Sequence, residues 1–382
     1  MKFAIDREGL ISLLSSLIRQ PTVNPPGNEY LVREVVQNAL RGLGARLEIV
    51  GEDKRPNILG EIGRGKPTVA ILSHMDIVPP GEGWETDPFE AVIKNGRIYG
   101  RGAEDNKGSF AASWAAVKAF LERSRDFEGR IILGAVADEE RGSEKGMKLL
   151  LENGFKADVC LIPDGGKWNK AVIGEKGMLW VKVSILGKTA HGSEPEKGIN
   201  AIRTLIKVIE KIEAQTRFNS FHPLFSAPTM NLGEIKGGEA PNMVPSRAEC
   251  VLDFRYPAGV EKEEIIKKIQ SVLENEKDAT PGISFGLEII QESSPHLIEE
   301  SNHWIIKFKK AASDTGINLQ LTTIGGNTVA KLLYERGITA FSHSPQDISS
   351  AHQANESVSI EKLVLCANLW ANFLQRVFED DR

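Results

Sequence analysis

Val69-Ala70-Ile71-Leu72-Ser73-His74-Met75-Asp76 is the stretch on which the fold turns. An apolar run with no polar face predicts a strand covered on both sides, as in a parallel sheet packed between helices. It gives way at once to His-x-Asp, and in open α/β sheets ligands gather beyond the carboxyl ends of the strands. A metal-bound imidazole usually gives its other N–H to a carboxylate, which sets tautomer and orientation. Asp76 is placed to do that for His74.

The same transition recurs further along. Residues 130–137 read as a buried strand and run into Asp138-Glu139-Glu140; Val159-Cys160-Leu161-Ile162-Pro163 runs into Asp164-Gly165-Gly166. Between them, Gly100-Arg101-Gly102-Ala103-Glu104-Asp105-Asn106-Lys107-Gly108 puts Asp105 on a glycine-rich turn before a helix predicted over 107–122. Adjacent side chains point oppositely in extended backbone. One of Glu139 and Glu140 could then face a metal and the other the water to be activated. Taken singly, each residue has a plain reading: a surface His-Asp pair, a helix cap at Asp105, a turn at Asp164. His352, in Ser350-Ala351-His352-Gln353, joins them only if the tail folds back. Together, acids and histidines at strand ends without a matching basic cluster call for a cation, because buried like charges are costly unless paired or metal-bound. The default inference is a metal-dependent hydrolase.

Outward from this centre, strand and helix patterns alternate through residue 162, which predicts an α/β domain with helices covering a mostly parallel sheet. The texture changes near Gly177. Residues 179–186, 199–214, 229–235, 248–255, 260–275 and 283–290 read as strand, helix, strand, strand, helix, strand. That βαββαβ order predicts an inserted α+β two-layer domain. After Pro295 the helix–strand rhythm resumes and is expected to complete the first sheet. The expected organisation is a discontinuous catalytic domain, 1–177 and 293–382, with an inserted domain at 178–292.

A chain of 382 residues is long enough for two cores. A net charge of −5 disfavours nucleic acid as a partner. No apolar run is long enough to cross a bilayer, and the amphipathic opening segment reads as a first helix rather than a signal peptide. Three scattered cysteines form no disulfide framework and read as core residues, so a cytoplasmic location is expected. His222, His296 and His303 read as surface or interface residues, and His343 as pocket-lining at most.

At this point the chain resembles the di-zinc metallopeptidases that include aminoacylase, glutamate carboxypeptidase, succinyl-diaminopimelate desuccinylase, acetylornithine deacetylase and bacterial dipeptidases. The resemblance rests on His74-Met75-Asp76-Ile77-Val78-Pro79, on Gly100 to Gly108, and on signature residues onward to Glu356. It implies two Zn²⁺ per subunit, with Co²⁺ or Mn²⁺ as substitutes. His74 and Asp164 would hold one ion, Glu140 and His352 the other, and Asp105 would bridge them through a turn with a cis peptide after it. Asp76 would orient His74, and Glu139 would act as general base and then acid. Lys188-Thr189-Ala190-His191-Gly192-Ser193 resembles the family's lid segment, so His191 would stabilise the oxyanion, typically from a partner subunit. The inserted domain would thus be a lid and dimerisation domain of a homodimer. Asn242 and Arg255 resemble residues that hold the substrate, though a salt bridge within the sheet is a serious rival for Arg255. Gly325 and Gly326 match a substrate loop in which Asn327 departs from the usual Thr.

The implied reaction is cleavage of one amide bond of a small peptide or N-acyl amino acid with a free carboxylate. Asp164, where deacylases of the family generally have glutamate, tilts the expectation towards dipeptides. Desuccinylase, deacetylase and carboxypeptidase activities stand as alternatives, and a silent binding relative as a more distant one.

Overall fold

The computed structural model describes residues 2–217 and 223–379; His222 lies outside them. The chain divides into two compact units, one of Met1–Ile173, Ile298–Thr322 and Asn327–Arg382, the other of Gly174–Leu297 and Thr323–Gly326.

The first unit is built on a sheet in which Arg46–Glu52, Arg55–Arg64, Gly129–Val136, Thr68–His74, Val159–Ile162 and Thr339–Ser342 lie side by side in that order. The four inner strands run parallel, and the first two are joined antiparallel at the edge. Every residue of Thr68–His74 and Val159–Ile162 is buried, as unbroken apolar runs require. One face packs on the helices Met147–Glu152 and Val329–Glu335 through Ala70, Leu72, Ile132, Cys160, Leu150 and Leu333. The other lies against Lys107–Arg123, which packs in turn on Arg7–Ile18 and Ile360–Phe378. Ala111, Ala112, Ala115, Ala116 and Ala119 keep Lys107–Arg123 thin enough to be enclosed on all sides. The fold class expected from the alternation of elements is the one observed, and the tail supplies a parallel strand, Thr339–Ser342.

In the second unit Thr229–Gly237, Arg247–Tyr256, Gly177–Leu186 and Ser284–Ser293 form an antiparallel sheet in that order. Ala248, Cys250, Leu252, Phe254 and Tyr256 are buried while their neighbours are not, the period of two expected of a sheet with one covered face. They share a core with Leu205, Val208 and Ile212 of Ala201–Gln215 and with Ile265, Ile269 and Val272 of Lys262–Ala279.

Four details depart from the sequence reading. A strand at Lys170–Glu175 escaped it, as did a small antiparallel sheet of Val92–Lys94, Arg97–Tyr99 and Ser357–Ser359. Three-residue strands carry no periodicity, yet this sheet brings the segment before Glu104 beside the one after His352. His296 is buried rather than at the surface. His343 is fully buried, its Nε2–H donating to the Trp168 carbonyl at 3.0 Å and its Nδ1 accepting from Trp370 Nε1–H at 3.1 Å. All three cysteines are buried and free.

Candidate metal centre

Three adjacent parallel strands end at one edge of the first unit's sheet. His74 is the last residue of the central one and pairs with Val136 of its neighbour. Beyond Val136 come Glu139 and Glu140, and beyond Ile162 comes Asp164. The turn before Lys107–Arg123 adds Asp105, and the segment after Thr339–Ser342 adds His352.

Two groups of ligand atoms result, His74–Asp105–Asp164 and Asp105–Glu140–His352, in each of which the atoms lie within 4.8 Å of one another. Asp105 belongs to both. Its Oδ1 is 2.9 Å from His74 Nε2 and its Oδ2 is 3.2 Å from His352 Nε2. Glu140 Oε1 lies 3.0 Å from His352 Nε2, and Asp164 Oδ2 3.9 Å from His74 Nε2.

The electrostatics describe a site short of positive charge. Burial disfavours the His74 cation, yet bonding to Asp105 and Asp76 prevails and holds its pKa well above the ordinary value. Hydrogen bonds to Asp105 and Glu140 raise that of His352 to about 10. Burial, then the charge of Asp105, pushes Asp164 up to about 6. Glu139 is also driven well above the carboxylate range, by burial and by the charges of Asp164, Asp105 and Glu140, against the pull of His74. Imidazole nitrogen and carboxylate oxygen in two trios sharing one carboxylate fit a pair of divalent transition ions.

The supports of these ligands corrected one expectation and added several residues. The acidic run is not extended backbone. The strand ends at Val136, Asp138 has a left-handed φ of 63°, and Glu139–Arg141 is a short helical turn. Strand alternation therefore does not apply here: Glu140 joins a trio from a helical turn, and Glu139 joins neither. Four successive N–H groups here donate to side chains: Ala137 to Asn57 Oδ1 at 3.0 Å, Asp138 to Glu29 Oε1 at 3.1 Å, Glu139 to Asp76 Oδ1 at 3.0 Å and Glu140 to Asp76 Oδ2 at 3.1 Å. His74 Nδ1 meets the backbone carbonyl of Asp76 at 3.0 Å, whereas the carboxylate is 3.6 Å away. Asp76 thus anchors the acidic turn as directly as it faces His74.

The Asp105 turn has a comparable support. Buried Glu356 accepts the N–H groups of Glu104 and Asp105 on Oε1, at 2.9 and 3.0 Å, and pairs through Oε2 with buried Arg101 at 2.6 Å. Arg101 also donates to the carbonyl of Gln353, next to His352, at 3.2 Å. Asn106 Nδ2 bonds the carbonyl of Pro163 beside Asp164 at 2.8 Å. The peptide between Asp105 and Asn106 is cis. Gly108 admits no side chain, since a Cβ would lie 2.2 Å from the carbonyl of Ala103. Asp105 does not cap the helix; Asn106 occupies that position.

The family model for peptidase family M20/M25/M40 matches residues 70–376, most of the chain. The chain belongs to that family. Members are metal-dependent hydrolases, and this protein is one. It is 34% identical to an uncharacterized metallohydrolase of Methanocaldococcus jannaschii, over 96% of this chain and 99% of that one. It is 28% identical to a succinyl-diaminopimelate desuccinylase of Methylobacterium radiotolerans, over 97% of each. Among solved structures, a tripeptidase of Staphylococcus aureus superposes with a TM-score of 0.81 at 21% identity, covering 98% of this chain and 99% of that one.

Of the remaining candidates in this M20/M25/M40 member, His191, Asn242, Arg255, Gly325 and Gly326 belong to the second unit and Asn327 to the first. In the second unit, His191 is exposed, with Nδ1 2.7 Å from Ser193 Oγ, and Asn242 is exposed and accepts the Gly192 N–H on its carbonyl at 2.8 Å. Arg255 is paired in the sheet with Asp253, at 2.9 and 3.1 Å, the arrangement named as its rival reading. Gly325 and Gly326 are exposed. Asn327, in the first unit, accepts from Lys331 Nζ at 2.6 Å. Glu29, Asn24, Arg55, Asn57 and Arg101 were not foreseen; polar residues set among the prolines and glycine of Asn24-Pro25-Pro26-Gly27-Asn28-Glu29 were a signal for Asn24 and Glu29 alone. No described helix is long and apolar enough to cross a membrane.

Proposed function

We propose that this protein is a di-zinc amidohydrolase that removes one residue or acyl group from a small substrate carrying a free carboxylate, with dipeptides as the first expectation. The observation that carries the reading is Asp105, whose two oxygens each face a separate imidazole–carboxylate group. When bound, divalent cations there would polarise the scissile carbonyl and bring the pKa of water near neutrality. Glu139, set among these charges without belonging to either trio, would accept the proton of the attacking water and deliver it to the leaving amine. His74, Asp105, Glu140, Asp164 and His352 would be the ligands, oriented through Asp76 and Glu356.

In this reading His191 would hold the developing oxyanion from a partner subunit. Asn242, Gly325, Gly326 and Asn327 would contact substrate, and Arg255 would exchange Asp253 for the substrate carboxylate. The homodimer would form through residues 178–292; supporting this, the edge strand Thr229–Gly237 is largely exposed and carries Leu232 and Ile235, 40% and 50% accessible. The compartment would be the cytoplasm. The desuccinylase among the relatives favours a second reading, hydrolysis of an N-succinyl amino acid.

Assaying the purified protein with Zn²⁺, Co²⁺ or Mn²⁺ on dipeptides, N-succinyl and N-acetyl amino acids, scored by kcat/KM, separates these readings. A chelator should abolish turnover. Glu139→Ala should lower kcat by ~10²–10⁴ while metal content stays near that of the parent; undiminished turnover would remove Glu139 from the mechanism.

A further inference from the structure

A buried charged group behind the acidic turn takes no part in the chemistry described above. Arg55 opens the strand Arg55–Arg64 and turns its guanidinium inward between two carboxylates. Its Nη2 donates to Glu29 Oε1 at 2.6 Å and its Nε to Glu29 Oε2 at 3.1 Å, while Nη1 lies 3.0 Å from Asp138 Oδ1. Glu29 is 1% exposed and the Asp138 side chain 5%. Glu29 also accepts the Asp138 N–H, and Asp138 Oδ2 accepts the Lys145 N–H at 2.9 Å. Asn24 Nδ2 joins this group to the next, donating to Asp138 Oδ1 at 3.2 Å and to Asp76 Oδ2 at 2.9 Å.

Two carboxylates this buried, both on the same guanidinium, would repel each other, and their desolvation is tolerable only with a cation between them. Arg55 is that cation. Its planar donors fit one carboxylate on two atoms and reach the other on a third. Asp138 adopts a left-handed backbone that non-glycine residues rarely take, which persists only where surrounding bonds overdetermine it. Glu139 follows directly.

We propose that Arg55, clamped by Glu29 and Asp138, is a positioning residue for Glu139: it holds the turn at 138–140 in the conformation that aims the Glu139 carboxyl. The proposal rests on Glu139 being the base, as proposed above. Glu29 and Arg55 both precede the segment matched by the family model, residues 70–376.

The first test needs no turnover. In the metal-free protein, hydrogen exchange of a peptide spanning 137–141 should be at least tenfold faster in Arg55→Gln than in the parent, with Arg55→Lys between them. Peptides from strand Thr68–His74 should be unchanged. The second uses the Zn²⁺-loaded protein with whichever dipeptide or N-acyl amino acid it turns over. Arg55→Gln should lower kcat at least tenfold with KM within about threefold and Zn²⁺ stoichiometry retained. In a Glu139→Ala background the same substitution should cost almost nothing further, because its effect passes through that carboxyl. Unchanged exchange at 137–141 would overturn the proposal, as would an equal loss in both backgrounds. Should Glu139→Ala itself keep full turnover, the mechanism fails instead, while the exchange result still judges whether Arg55 sets the turn. If Arg55→Gln does not fold, Arg55→Lys carries both measurements.

Discussion

The two candidate ligand groups share Asp105 but are built differently. His74 ends a fully enclosed strand and its side chain is 2% exposed, whereas that of His352 is 52% exposed. His352 also sits in a connecting segment with a left-handed φ of 64°. Asp164 follows a buried strand, and its turn is tied to Asp105 through the Asn106–Pro163 bond. Glu140 and His352 lie on two turns that are tied to the rest of the unit through side chains reaching across from elsewhere in the chain. One group is rigid because the sheet is rigid; the other is as rigid as the hydrogen bonds of Asp76, Glu356 and Arg101 allow. A site on a strand end is positioned more firmly than one on a loop, so the two should differ in how tightly they keep a metal.

The largest expected effect separates them by substitution. His74→Ala removes a buried donor facing two carboxylates and should abolish metal retention at its own group and loosen Asp105 for the other, with activity down by at least ~10³. His352→Ala should leave about one ion per chain after dialysis and a smaller loss of activity. Metal analysis with parallel kinetics checks this. Equal metal loss in both variants would break the asymmetry. Timed chelation would sharpen it, with one equivalent leaving well before the other.

The next effect concerns the rigid side. His343 lies under the turn that carries Asp164, its Cα 3.7 Å from where a Cβ on Gly166 would stand. Burial lowers its pKa to about 4 from 6.5, although its bond to the Trp168 carbonyl opposes this. The folded protein therefore prefers neutral imidazole, and as pH falls the unfolded chain takes up the proton first. The contribution is complete above pH 6.5 and is lost between there and pH 4, about 2 kcal/mol of it by pH 5. The raised carboxyls of Asp164 and Glu139 act with the opposite sign over this range, so the His343 share is read as a difference: between pH 7 and 5 in urea unfolding, His343→Gln should lose about 2 kcal/mol less stability than the parent. A slope indifferent to that substitution would mean other groups cause it.

The smallest effect is on specificity. Asp164→Glu lengthens one ligand arm on the buried side and should shift the kcat/KM ratio between a dipeptide and an N-succinyl amino acid by roughly tenfold. No shift in a substrate panel would place the choice of substrate elsewhere.

Much of this protein is legible in the order of its residues. Unbroken apolar runs ending in His74, Glu139 and Asp164 declare parallel strands and the edge at which they finish. Alternation through Ala248, Cys250, Leu252 and Phe254 declares a sheet with one covered face. Those patterns are local, because side-chain direction follows backbone period over a few residues. What only the tertiary structure decided is which oxygen meets which N–H. Nothing near residue 138 in the chain announces that Glu29 and Arg55 will hold it, or near residue 105 that Glu356 will. For Arg255 the sequence left substrate contact and a salt bridge within the sheet both open, and the structure shows it paired with Asp253. Pairings such as Glu29 with Asp138 and Glu356 with Asp105 join segments distant in the chain, and they follow from desolvation cost in the assembled fold rather than from any repeat in the chain.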